Sequence, residues 1–164
     1  MEIYKPTYSA DSPYQEFDKI DMSNNDLLCE LRDSNKLFNH ITTNSTEHAL
    51  ERFAAITQGN NFHSLSEKMK TDTYSDVVRT QNTIYLRLNY DKPSGTVVNV
   101  RKSMWIHPVK NRAISVKEAA RLQTFPESFV FIGSKDSQYQ QVGNAVPPIL
   151  AKAIAEKLIE VLDK

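Results

Sequence analysis

Apolar positions along the chain change their period several times, and each change marks an element. Residues 1–22 are polar, hold Pro6 and Pro13 and keep no period; they read as an arm that orders only against another surface. A short helix is predicted from about Asn24 to Asp33, with Ser23 as N-cap and Asp26 three residues on. Cys29 lies inside it and is expected to be a small, partly buried side chain. Leu50, Phe53 and Ala54 set the spacing of a second helix, from about Thr46 to Ile56. Ser45 is its predicted cap, and Gly59 lies just past its end.

From Thr83 the period falls to two. Ile84, Leu86, Leu88 and Tyr90 would share one face of a strand, with Tyr85, Arg87 and Asn89 on the other. Asp91-Lys-Pro-Ser-Gly95 reads as a turn and 96–100 as the return strand of a hairpin. Ser115-Val-Lys-Glu118 is a capping box that starts a third helix, which Phe125-Pro126 ends. Phe129-Val-Phe-Ile132 is a short apolar run before a Gly-Ser turn. A Gly143-Asn144 turn is then expected to precede a last helix from about Pro148 to Leu162, with Leu150, Ile154, Leu158 and Val161 as its apolar stripe.

Length and composition change this picture little: 164 residues with 40% hydrophobic and 24% charged suit one ordinary domain, or a smaller one with arms. No apolar stretch approaches the roughly 18 residues of a membrane span, and the N-terminus has no apolar signal region, so a cytoplasmic protein without membrane contact is expected. Charge changes it more. Net charge is zero, yet residues 1–40 hold eight acids against four Lys or Arg, and residues 79–121 hold nine Lys or Arg against two acids. Such a basic block is the footprint of a polyanion contact or, equally, a solvated basic face.

Candidate chemistry is sparse. Four scattered glycines exclude a GxGxxG or P-loop phosphate cradle. His40, His48, His63 and His107 lack metal-ligand spacing, so no metal is expected. With one cysteine there is no disulfide framework, and no nucleophile elbow stands out.

Two segments do carry a signature. Arg112-Ala-Ile-Ser-Val-Lys-Glu-Ala-Ala-Arg-Leu-Gln-Thr-Phe-Pro126 resembles the ninth motif of the DNA cytosine-5 methyltransferases, R-x-L-T-x-R-E-x-A-R-x-Q-x-F-P. Gln141-Val-Gly-Asn-Ala-Val-Pro-Pro148 resembles their tenth and last, Q-x-G-N-A-V-P. Order and separation match the family over about 50 residues. More loosely, Arg87 to Val97, with Ile106-His-Pro108, is similar to the target-recognition region before the ninth motif.

The resemblance implies an α+β chain in three parts: a polar arm with a short helix (1–34), a small irregular strand-containing DNA target-recognition region (35–127), and a tenth-motif segment with its helix (128–164). That helix would pack on a Rossmann-like catalytic domain that this chain does not contain. The resemblance further implies double-stranded DNA as a partner, met by Arg87 and Thr96, and the basic block adds Arg101 and Lys102 as candidate contacts. Asn144, Ala145 and Val146 would help line a pocket for S-adenosyl-L-methionine. Arg112, Glu118 and Arg121 would hold the reading surface by ion pairs and caps, and Lys117 keeps the charge of the family's arginine but not its fork.

What the chain lacks is the family's Pro-Cys-Gln loop, whose thiolate attacks C6 of a flipped cytosine, together with its Glu-Asn-Val carboxylate and Phe-x-Gly-x-Gly loop. Cys29 follows Leu28, not proline, and is no candidate nucleophile. Methyl transfer is therefore expected only with a catalytic methyltransferase chain or a missing N-terminal half, and Met1 with an acidic arm favours a natural subunit. The alternative is a non-enzymatic DNA-binding or interaction remnant of a broken methyltransferase gene.

Overall fold

The computed structural model describes residues 14–16, 26–71, 81–98 and 100–163. Among them, helices dominate. β1 (Tyr14–Glu16) pairs antiparallel with β2 (Lys36–Phe38), with Tyr14 opposite Phe38. The helices are α1 (Asp26–Leu31), α2 (Glu47–Ala55), α3 (Glu67–Lys70), α4 (Val100–Ser103), α5 (Val116–Leu122), α6 (Lys135–Asn144) and α7 (Pro148–Leu162). Part of the polar arm thus orders against β2, while residues 1–13 and 17–25, with the expected cap Ser23, lie outside the described residues.

Local signals account for most helix ends. The Thr46 hydroxyl, one residue beyond the expected Ser45, accepts from the Ala49 amide and caps α2. Gly59, at φ 79°, turns the chain after α2 and donates its amide to the Arg87 carbonyl. At α5 the capping box forms in full: Ser115 accepts from the Glu118 amide, and the Glu118 carboxylate takes the Ser115 amide.

The expected hairpin does not form. Residues 83–98 contain no regular strand and Val100 begins α4; isolated bridges join Arg87 to Ile106 and Ile106 to Ala113. The reason lies in burial on both sides. Segment 84–88 bonds on one edge to 59–62 (Phe62 amide to Ile84 carbonyl, 3.0 Å) and on the other to 103–106 (Leu88 amide to Ile106 carbonyl, 3.1 Å). Tyr85 enters a cluster with Ala49, Phe53, Ile56, Phe62, Leu65 and Ile106, whereas Leu88 enters a second with Val97, Trp105 and Ile114. Tyr90, expected on the buried face, is instead exposed. A one-sided alternation was expected where both sides are in fact covered.

The second cluster also takes in Val116, Ala119, Ala120, Phe125, Phe131, Tyr139 and Val142. Residue 127 is therefore no packing boundary, because Phe131, Tyr139 and Val142 share one core with residues before it such as Leu88, Trp105 and Ala119. Nor does residue 34 divide the chain cleanly. The Glu127 amide donates to the Leu31 carbonyl at 2.8 Å, the Ser128 amide to Asp33, and Asn39 exchanges two side-chain hydrogen bonds with the Phe131 backbone, each 2.9 Å. Asn39 does this from φ 56°, a conformation its short amide tolerates better than most side chains. Gly143 and Asn144, expected as a turn, form the last residues of α6.

Candidate functional site

The ninth-motif segment builds a charged brace around the start of α5. The Arg112 guanidinium grips the Glu118 carboxylate through two bonds of 2.8 and 2.6 Å, and the same carboxylate caps Ser115. Burial alone would raise the Glu118 pKa, but Arg112 and the Ser115 amide outweigh it and lower the value to about 2. His40 shares a 2.8 Å hydrogen bond with the Ser115 hydroxyl, and burial lowers its pKa. His107 is similar: Nδ1 accepts from the Val109 and Lys110 amides, each 3.1 Å, and burial lowers its pKa despite the Glu118 charge.

Lys117 and Arg121 work on the far side of α5. Lys117 is fully buried, and its ammonium donates to the Glu127 and Phe129 carbonyls, each 3.0 Å. A compact ammonium bonding two carbonyls needs no guanidinium fork, which is why lysine serves here. Burial lowers its pKa. Arg121 bonds the Glu127 carboxylate at 2.6 Å through Nε. Nothing in the local sequence marks Lys117 as internal; its partners lie 10 and 12 residues on.

Arg87 departs most from expectation. It is 5% exposed, and its guanidinium donates to the Phe53 and Ile56 carbonyls at the end of α2, to the His107 and Lys110 carbonyls, and to Asn111. A group with that many internal acceptors is not offered to a DNA duplex. It clamps the end of α2 to the 107–111 loop. Thr96 is exposed on an irregular segment, and Arg101 and Lys102 lie in α4, their side chains outside the described part. A cleft of about 280 Å³ is lined by Tyr90, Lys92, Ser94, His107, Glu118 and Arg121 among others, without Thr96. The sequence puts Lys92 in the basic block and Tyr90 on a strand face without marking either as lining a cleft, although an aromatic beside a lysine in a basic block is a usable signal.

The tenth-motif segment sits at the opposite end of α5. Asn144 closes α6, Ala145 is its C-cap, and Val146 is 61% exposed. Gln123, buried at the C-cap of α5, donates to the Val142 carbonyl at 3.1 Å and more weakly to Ala145 at 3.4 Å. Beyond this turn α7 runs for fifteen residues with none buried; Leu150, Ile154, Leu158 and Val161 are each roughly half or more exposed. Lys152 on α7 reaches Glu30 on α1 at 2.6 Å. Cys29, expected partly buried, is exposed. Among the described residues no three His, Cys, Asp or Glu side chains gather as a metal site, and no helix is long and apolar enough to cross a membrane.

The brace fixes α5, and buried Gln123 joins it to the turn that leads into α7; the chain belongs to the C-5 cytosine-specific DNA methylases, whose family profile matches residues 4–160. It is 40% identical over 124 residues to the type II methyltransferase M1.HphI of Haemophilus parahaemolyticus, covering 76% of this chain and 32% of that protein. It is 37% identical over 141 residues to the type II methyltransferase M.AquIB of Picosynechococcus, covering 77% of this chain and 93% of that one. The fold also matches, with a TM-score of 0.59 at 29% identity, a crystal structure described as a candidate DNA modification methyltransferase encoded within an Escherichia coli prophage; the match covers 79% of this chain and 31% of that one. Apart from M.AquIB, the chain spans about a third of the length of these proteins.

Proposed function

We propose that this chain is the DNA-recognition and pocket-completing portion of a DNA (cytosine-5)-methyltransferase, active only with a catalytic chain or N-terminal half that carries the cysteine loop. The observation that carries this reading is α7, a long helix with an apolar stripe and no buried residue. Such a stripe fits a second surface, and the absent Pro-Cys-Gln and Glu-Asn-Val motifs name the half that would supply it. The 93% coverage of M.AquIB supports the idea that a methyltransferase polypeptide can have about this extent.

In this reading S-adenosylmethionine supplies the methyl group when bound. Residues 144–146 suit one wall of its pocket: Asn144 brings an amide and Val146 an exposed apolar surface, while the Ala145 carbonyl is already turned toward Gln123. The remaining walls belong to the other half. Double-stranded DNA would be met by Thr96, by Arg101 and Lys102 on α4, and by the rim of the Tyr90–Lys92 cleft, with Arg87 holding the neighbouring loop from inside. Domain roles follow the core rather than the expected boundaries: residues 31–40 and 81–142 act as one reader, and α7 as the docking element.

The test is reconstitution. The purified chain is mixed with the polypeptide that carries the Pro-Cys-Gln and Glu-Asn-Val motifs, and methyl transfer from labelled S-adenosylmethionine to DNA is measured. The mixture should be active and this chain alone inactive. Turnover by this chain alone, or none by the mixture, rules the reading out.

A further inference from the structure

We infer that Gln123 and Thr124 are positioning residues that fix the 144–149 turn and so set how tightly the assembled protein holds S-adenosylmethionine. The inference rests on the reading above that residues 144–146 form one wall of the cofactor pocket.

The turn begins at the end of one helix and finishes at the start of another, so it carries unpaired carbonyls and amides at both ends. The Ala145 amide returns to the Val142 carbonyl at 3.3 Å, and side chains from outside the turn add bonds at both ends. At the α6 end, the Val142 and Ala145 carbonyls receive the Gln123 side-chain amide at 3.1 and 3.4 Å. At the α7 end, Pro147 occupies the N-cap and makes no side-chain cap bond, and Pro148 has no N–H. The next amide, that of Ile149, is the one an N-cap side chain would take. Here the Thr124 hydroxyl takes it at 3.3 Å, a cap supplied from the turn that follows α5. Gln123 and Thr124 thus supply side-chain hydrogen bonds to the backbone at both ends of the turn.

Thr124 reaches this position at a cost. Its φ is 61°, in the left-handed region that β-branched residues avoid. Gln123 is rooted just as firmly, because its own backbone amide is bonded to the Ala119 and Ala120 carbonyls. α7 adds no buried side chain that would hold the turn. The last residues of the α5 segment therefore act as a clasp, and they tie the arginine-braced helix to the Asn144–Val146 wall.

Three variants test this: Gln123→Met, similar in shape but without N–H groups; Thr124→Gly, which relieves the backbone and removes the acceptor; and Thr124→Asn, which tolerates left-handed φ and keeps an acceptor. Two measurements are made. Amide hydrogen exchange at Ala145 and Ile149 is followed in the full chain, and equilibrium binding of S-adenosylmethionine and of DNA is followed in the assembled protein. In Q123M and T124G, exchange should quicken about tenfold and the S-adenosylmethionine Kd rise about tenfold, in line with one lost hydrogen bond; DNA affinity should stay within about twofold. T124N should stay near wild type in all three. T124G also guards against misfolding, since it removes backbone strain. Wild-type exchange and cofactor affinity in Q123M and T124G would overturn the inference. A wild-type assembly that methylates DNA but gains no cofactor affinity from this chain would instead overturn the pocket-wall reading, and the inference with it.

Discussion

A single guanidinium shows how far a residue's role can lie from its charge. Arg87 donates to carbonyls 34, 31, 20 and 23 positions away and to an amide oxygen 24 away, so its partners come from two stretches of chain, one on each side of it in sequence. No local window could reveal that, and a basic block around it pointed outward. Replacing it with glutamine leaves buried carbonyls unpaired and should cost about 3 kcal/mol or more, read by urea unfolding. Lysine should rescue little, because one ammonium cannot span the same acceptors. Glu118 gives a prediction in pH. Its folded pKa, about 2, lies below the ordinary 4.5, so its contribution is complete above about pH 4.5 and disappears as pH falls toward 2. The stability gap between wild type and Glu118→Gln should therefore be flat at neutral pH and close across that window. His40 and His107, both depressed, add a separate loss that begins as pH drops below their ordinary 6.5.

Elements were legible where their signals are local. α5 announces itself by Ser115 and Glu118 three residues apart, and both halves of the box form. Ser115→Ala removes the cap and should lower stability by about 1–2 kcal/mol in a thermal or denaturant melt. α6 went unread because only Tyr139 and Val142 of its ten residues are buried, and its Gly-Asn ending resembles a turn. The readable trace was Ser134, whose hydroxyl caps Ser137, five residues before Tyr139. The segment around Arg87 failed for the opposite reason. Its alternation is real, but with Tyr85 and Leu88 buried in different clusters the pattern encodes a bridge between two cores rather than a strand with a wet side.

For the whole molecule, the order and spacing of the two motifs were readable and identified the family, while the chain's compact joining of residues 31–40 to 127–138 was not, since it rests on contacts across about 90 positions such as Asn39 to Phe131. Two predictions belong here. Ile154→Glu with Leu158→Glu should weaken capture of the catalytic half at least about 100-fold, roughly 3 kcal/mol by pull-down or calorimetry, with the chain's own melting temperature unchanged. Arg101→Glu, with Arg87 intact, should weaken DNA binding by the assembly and flatten its dependence on salt by about one counterion. An unmoved slope would count against α4 as a phosphate contact. The exposed stripe of α7 also has a consequence for supply. On the proposed reading, a copy made in excess of a catalytic half would present a bare oily helix to chaperones and proteases, so its lifetime should follow that half's abundance rather than its own rate of synthesis. Balanced production of the two halves would then be enforced by the surface of one helix.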